Sequence, residues 1–201
     1  MHDDSRLVEL RIRRFVEERL RPAIHRDHAP LAVTAWEAPG EPVPFAEARW
    51  AKYAPVREGA WWGRPWGTTW FHVTGRVPTE WLEGRDTLPV ELRVDVGFTP
   101  SRTGFQAEAL AFDATGRVIK AVEPRQQWLP VDGEDVDVYI EAASNPDFRR
   151  EAWDWQPTRM GDKATAGCQP LYQLRSIELR RLDREVWELE RDVQTLLELH
   201  D

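Results

Sequence analysis

Three indoles in seven residues form the sharpest chemical feature of this sequence: Trp61-Trp62-Gly63-Arg64-Pro65-Trp66-Gly67. Indole faces stack on sugar rings, and neighbouring Arg or Asp side chains can hydrogen-bond the hydroxyls, so the run could serve as a carbohydrate platform. Indoles also anchor cores and interfaces, because each removes a large apolar area from water. The loop position, directly before an alternating segment, favours the second use, and the first stays open. Trp70 follows closely, and Trp153 with Trp155 repeats the motif in a later Pro/Gly-rich stretch; the chain holds 11 Trp in all. Carboxylates are also abundant, and a glycosidase-type pair could in principle assemble from Asp95 and Glu108 on neighbouring strands. Charged residues on the wet face of a sheet are the commoner explanation. His25 and His28, with Asp27 between them, could share a helix face, but two histidines are too few ligands for a stable metal site. Cys168 has no base near it in sequence. There is no Gly-rich phosphate loop, no H-E-x-x-H, no paired cysteine and no G-x-S-x-G elbow. No catalytic residue and no metal ligand is therefore assigned.

These groups must be positioned by a chain of 201 residues, long enough for one domain with extensions. A net charge of −8 argues against a nucleic-acid partner, which needs clustered Lys and Arg. No apolar run approaches bilayer length, and Met1-His2-Asp3-Asp4 leads directly into an arginine-rich stretch without a signal-peptide core. The single cysteine suits a reducing compartment, so the expected location is cytoplasmic.

The period of the apolar residues divides the chain. Over residues 1–29, Val8, Ile12, Phe15, Val16 and Leu20 recur at helical spacing among seven arginines, predicting an amphipathic helix from Ser5 to about His28 that Pro30 ends. Residues 30–146 alternate instead. Phe71, Val73 and Val77 oppose Trp70, His72 and Arg76; Leu92, Val94 and Val96 oppose Glu91, Arg93 and Asp95. Gln106–Phe112 reads as a strand, Asp113–Gly116 as a tight turn into Arg117–Val122, and Val136, Val138 and Ile140 alternate in a further strand. Short strands between Gly/Pro/Asp loops predict a mainly β fold, an antiparallel β-sandwich or jelly roll of the galactose-binding-like kind. Residues 147–170 form an irregular connector. Residues 171–201 predict a second amphipathic helix, with Leu179, Leu182, Val186, Leu189, Val193 and Leu196 as its seam and Arg181–Glu185 pairing on its flank. It reaches His200-Asp201 without a Gly, Asn or Pro stop, so a longer parent chain is expected.

Several segments together resemble the N-terminal region of bacterial α-mannosidases of glycoside hydrolase family 38, of the cytosolic and vacuolar type. They are Trp66-Gly-Thr-Thr-Trp-Phe-His-Val-Thr-Gly-Arg-Val-Pro78, Asp95-Val-Gly-Phe98, Gly104-Phe-Gln-Ala-Glu-Ala-Leu110, Tyr139-Ile-Glu-Ala-Ala-Ser-Asn-Pro146, Gly161-Asp-Lys-Ala-Thr-Ala-Gly167, Pro170-Leu-Tyr172 and Asp183-Arg-Glu-Val-Trp-Glu-Leu189. The resemblance implies a parent enzyme that releases terminal α-mannose from oligosaccharides. It implies a downstream catalytic domain holding zinc through an H-x-H-x-D-type motif, with a separate aspartate as nucleophile. None of those positions occurs in this chain, so the zinc belongs to the parent and no cofactor is expected in these 201 residues. The expected partners are the downstream domain, a mannose-containing oligosaccharide as parent substrate and further copies of the chain, with neither nucleic acid nor membrane. The alternatives are an autonomous carbohydrate-binding module and an oligomerisation domain.

Overall fold

The computed structural model describes residues 4–99, 103–104, 106–147 and 159–200. The chain opens with helix α1 (Ser5–Phe15), which continues through a π turn (Val16–Leu20) into α2 (Arg21–Ile24). The π turn buries Val16 and Leu20 and ends two residues before Pro22, which has no N–H to offer a carbonyl one turn back. The helix does not reach His28. At His25 the backbone becomes extended, and His25–Pro30 is strand β1. Pairing overrides local composition here: β1 lies against Ser176–Leu182, with His25 opposite Leu182 and Pro30 opposite Glu178. A bulge at Asp27 re-aims the strand, and Asp27 takes a left-handed φ of 28° that Asp tolerates better than most residues.

The remaining elements in order are β2 (Ala32–Glu37), α3 (Phe45–Ala48), β3 (Ala54–Pro55), β4 (Trp61–Trp62), β5 (Thr68–Arg76), β6 (Val90–Asp95), β7 (Glu108–Asp113), β8 (Val118–Val122), β9 (Trp128–Pro130), β10 (Asp135–Ala143), β11 (Tyr172–Gln173), β12 (Ser176–Leu182) and α4 (Arg184–His200). All strand pairs are antiparallel. One sheet has the order β1-β12-β6-β9, the other β3-β2-β5-β10-β7-β8, and β4 pairs with β11 as a short ribbon. The alternation expected from the sequence is realised: Phe71, Val73, Ile140, Ala109 and Ala111 from the six-stranded sheet meet Leu92, Val94, Leu129, Ile177 and Leu179 from the four-stranded sheet in one buried core.

The other face of the six-stranded sheet is not wet. The segment carrying α3 folds over it, and Phe45 packs on Trp70, Phe112 and Tyr139 at centroid distances of 6.2, 5.7 and 5.2 Å. His72 stacks on Tyr139 at 4.0 Å, and Tyr53 meets both edge-on. Burial behind this layer pushes the Tyr53 and Tyr139 hydroxyls above their ordinary range and raises the Glu141 carboxyl, through loss of hydration in each case.

The C-terminal helix begins later than the helical spacing suggests. Residues 171–182 are extended, because Ile177 and Leu179 point into the core while Glu178 and Arg180 point away, and both neighbours, β1 and β6, supply ladder partners. Arg181 therefore sits in a strand and pairs with Asp27 at 3.4 Å, not with Glu185. Asp183 is the true helix start: its Oδ1 accepts the Val186 N–H at 3.1 Å, and its second oxygen meets Arg26. α4 then runs antiparallel to α1 and α2, with Val193 and Leu197 facing Val8 and Ile12, and Arg21 bridging to Glu190 at 3.0 Å. Leu189 and Leu196, expected in the seam, stay on the open side at 48% and 67% exposure.

Candidate functional site

The tryptophan-rich corner is built where β4, the end of β10 and β11 converge. Successive strand residues point to opposite sides, so Trp61 and Trp62 cannot share a face. Trp62 turns inward: its Nε1 donates to the Val96 carbonyl at 2.7 Å, and its ring packs on Phe71 and Tyr172 at 5.3 and 5.4 Å. Trp61 turns outward and is 62% exposed. The loop after them is pinned to Ser144. The Ser144 hydroxyl donates towards the Arg64 and Gly67 carbonyls, its N–H donates to Gly67, and its carbonyl accepts from Trp66 N. Gly63 is required there, since it has φ +77° and a Cβ would lie 2.5 Å from the Ser144 Cβ. Trp66 is held at φ +62°, a backbone region that bulky residues rarely occupy, while its Nε1 donates to the Met160 carbonyl at 2.8 Å. Tyr172 closes the corner by donating its hydroxyl to the Asn145 carbonyl.

The candidate residues are thus dispersed. Trp62 belongs to the core, Trp66 is half-buried against Met160, and Trp70 is fully buried in the aromatic layer on the outer face of the six-stranded sheet. Only Trp61 of the loop presents a largely open ring, so the three loop indoles do not make a common platform. Trp153 and Trp155 lie outside the described residues.

The carboxylate pair does not form. Asp95 ends β6 in the four-stranded sheet, whereas Glu108 starts β7 in the six-stranded one. Asp95 is buried and accepts the Gly97 and Phe98 N–H groups at 3.0 and 3.3 Å, with Arg93 beside it at 3.3 Å, so it shapes the turn after β6. Glu108 is exposed. The histidines separate as well: His25 Nε2 meets Glu91 at 2.9 Å, His28 meets Glu178 at 3.4 Å, and His72 meets Asp137 at 2.8 Å. Among the described residues, no three His, Cys, Asp or Glu side chains are grouped to hold a metal ion, and Cys168 is exposed without a disulfide. Among the same residues, no helix is long and apolar enough to cross a membrane.

Two other surfaces stand out. One is an apolar groove between α1 and α4, lined by Val8, Ile12, Phe15, Val193, Leu196 and Leu197. Beside it Leu7, Leu10, Leu189 and Leu199 are about half exposed or more. The other is a crevice of about 780 Å³ between α2, α4 and the four-stranded sheet. Its side chains come from four separate parts of the chain, which is why no local motif announced it.

The architecture defines a class: a β-sandwich of the jelly roll type with antiparallel sheets, flanked by helices. The sequence pattern of the alpha-mannosidase jelly roll domain family matches residues 29–180, and the chain belongs to that family. No curated protein matches the sequence.

Proposed function

We propose that the chain is the non-catalytic N-terminal domain of an α-mannosidase that hydrolyses terminal α-mannose residues of oligosaccharides, and that it packs against and shapes a zinc-dependent catalytic domain downstream. The family match over residues 29–180 carries this reading. The exposed apolar row on α1 and α4 supports the packing role, because large contiguous apolar surface on a folded domain marks an interaction site. The zinc and the covalent chemistry belong to the partner domain. The residues of this chain contribute shape: α1 and α4 form a two-helix ridge, and Asp183 fixes the angle at which α4 leaves the sandwich.

The test is expression of the reading frame extended past Asp201. The extended protein should contain an H-x-H-x-D segment and cleave an aryl α-mannoside in a zinc-dependent manner, whereas the 201-residue chain alone should not. A native stop directly after Asp201, or hydrolysis by the 201-residue chain that Asp95→Asn or Glu108→Gln abolishes, refutes the reading.

A further inference from the structure

We propose that the crevice between α2, α4 and the four-stranded sheet is a saccharide-binding site. Its floor is a stacked pair: the His25 and Trp128 rings lie 3.5 Å apart and within 7° of parallel. Glu91, on the strand beside Trp128, holds His25 Nε2 at 2.9 Å and fixes the imidazole plane. One wall is α4, which contributes Trp187 and Glu188. The Trp187 ring is 39% exposed, and Arg191, which lies over it at 4.9 Å, does not line the crevice. Arg125 also lines the crevice, carried on a two-residue turn that the Gln126 N–H to Glu123 carbonyl bond closes at 2.9 Å.

The chemistry selects the ligand class. Three guanidinium groups (Arg21, Arg125 and Arg184) and three carboxylates (Glu91, Glu188 and Glu190) line the same space, so a phosphate or other anion meets as many carboxylates as guanidiniums. A long apolar ligand meets too many charges. A neutral polyhydroxylated ring suits both features, with its C–H face on the Trp187 indole, since Trp128 is already stacked on His25 and lies under Arg93, and its hydroxyls shared between carboxylate acceptors and guanidinium donors. At about 780 Å³ the crevice lies within the usual range of ligand sites and has room for a short oligosaccharide. The site is distinct from the Trp61–Trp66 corner. The choice of mannose among the probes rests on the proposed parent enzyme, whereas the crevice chemistry does not.

The 201-residue chain would be titrated calorimetrically with α-linked mannobiose and mannotriose, and with maltotriose and cellotriose. The expected result is saturable binding of at least one saccharide with Kd on the order of 1 mM. Trp187→Ala and Arg125→Ala should each weaken it about tenfold or more, with melting temperatures unchanged, while Trp61→Ala leaves it intact. Arg125 is exposed on its turn, so its variant remains informative if Trp187→Ala perturbs α4. The proposal is overturned if no saccharide saturates up to about 20 mM, if binding survives both crevice variants, or if Trp61→Ala removes it. Binding of glucose-based but not mannose-based probes upholds the crevice while counting against the proposed parent, so the two readings fail separately.

Discussion

Trp62→Ala should be among the most damaging single changes in this domain. The side chain is 6% exposed, its ring fills the space between Phe71 and Tyr172, and its N–H is the partner of the buried Val96 carbonyl. Truncating a packed Trp costs about 3–5 kcal/mol, the lost transfer energy plus the cavity left behind. For a domain of this size each kcal/mol moves Tm by roughly 2–4 °C, so a drop of about 6–20 °C is expected. Trp62→Phe separates the contributions: it keeps most of the apolar area but strands the Val96 carbonyl, at about 1–3 kcal/mol. Trp61→Ala, one residue away on the open side, should stay within about 0.5 kcal/mol. Urea unfolding followed by far-UV circular dichroism reads all three without relying on indole emission. If Trp62→Ala costs less than about 1 kcal/mol, or no more than Trp61→Ala, the assignment of this indole to the core is wrong.

Two further substitutions probe other parts of the sandwich. Desolvation raises the Glu141 pKa in the folded chain, so its contribution is most favourable below the unfolded carboxyl's pKa and declines as pH rises through the folded value. Glu141→Gln should therefore raise Tm at pH 7, with the gain shrinking as the pH is lowered through the carboxyl range; a gain that grows towards acid reverses the argument. Gly97 has φ +109°, and a Cβ there would run into the Gln173 backbone carbonyl, so Gly97→Ala should cost roughly 1–3 kcal/mol or more in urea unfolding. A neutral result would mean that the turn after β6 shifts freely.

Much of the sandwich is legible in the sequence because its central strands are amphipathic. β6 and β10 bury alternate residues, β5 sends Phe71 and Val73 to the core side, and period two survives in the text. The edges are harder. β1 reads His-Arg-Asp-His-Ala-Pro, with no apolar alternation, and it is extended because β12 offers it a ladder. β12 was hidden for the opposite reason: Leu179 and Leu182 continue at helical spacing into the true helix, and Asp183, the capping residue between them, is the local signal that separates the two. Trp70 shows a third limit. Its position on the face opposite Phe71 is readable, but its burial depends on Phe45 arriving on α3 from 25 residues earlier. The crevice was illegible altogether, because His25, Glu91, Trp128 and Trp187 meet only through tertiary pairing. The family relationship, by contrast, was readable from short segments taken together.

The antiparallel arrangement of α1 with α4, and of β1 with β12 beneath them, has a mechanical consequence. The residues nearest Ser5 and those nearest His200 leave the domain at the same end. Tension applied between these two points does not shear the sheets, which would load many ladder bonds at once. It peels the helices apart from their shared tip, then reaches the Arg21–Glu190 bridge, and then opens β1 from β12 pair by pair. β12 stays clamped to β6 on its other edge, so the rest of the sandwich opens only after that zipper has run. The helical ridge is thus a compliant tether in series with a stiff block, and a neighbour attached at this end can tilt on the ridge while Phe71, Leu92 and Ile140 stay packed.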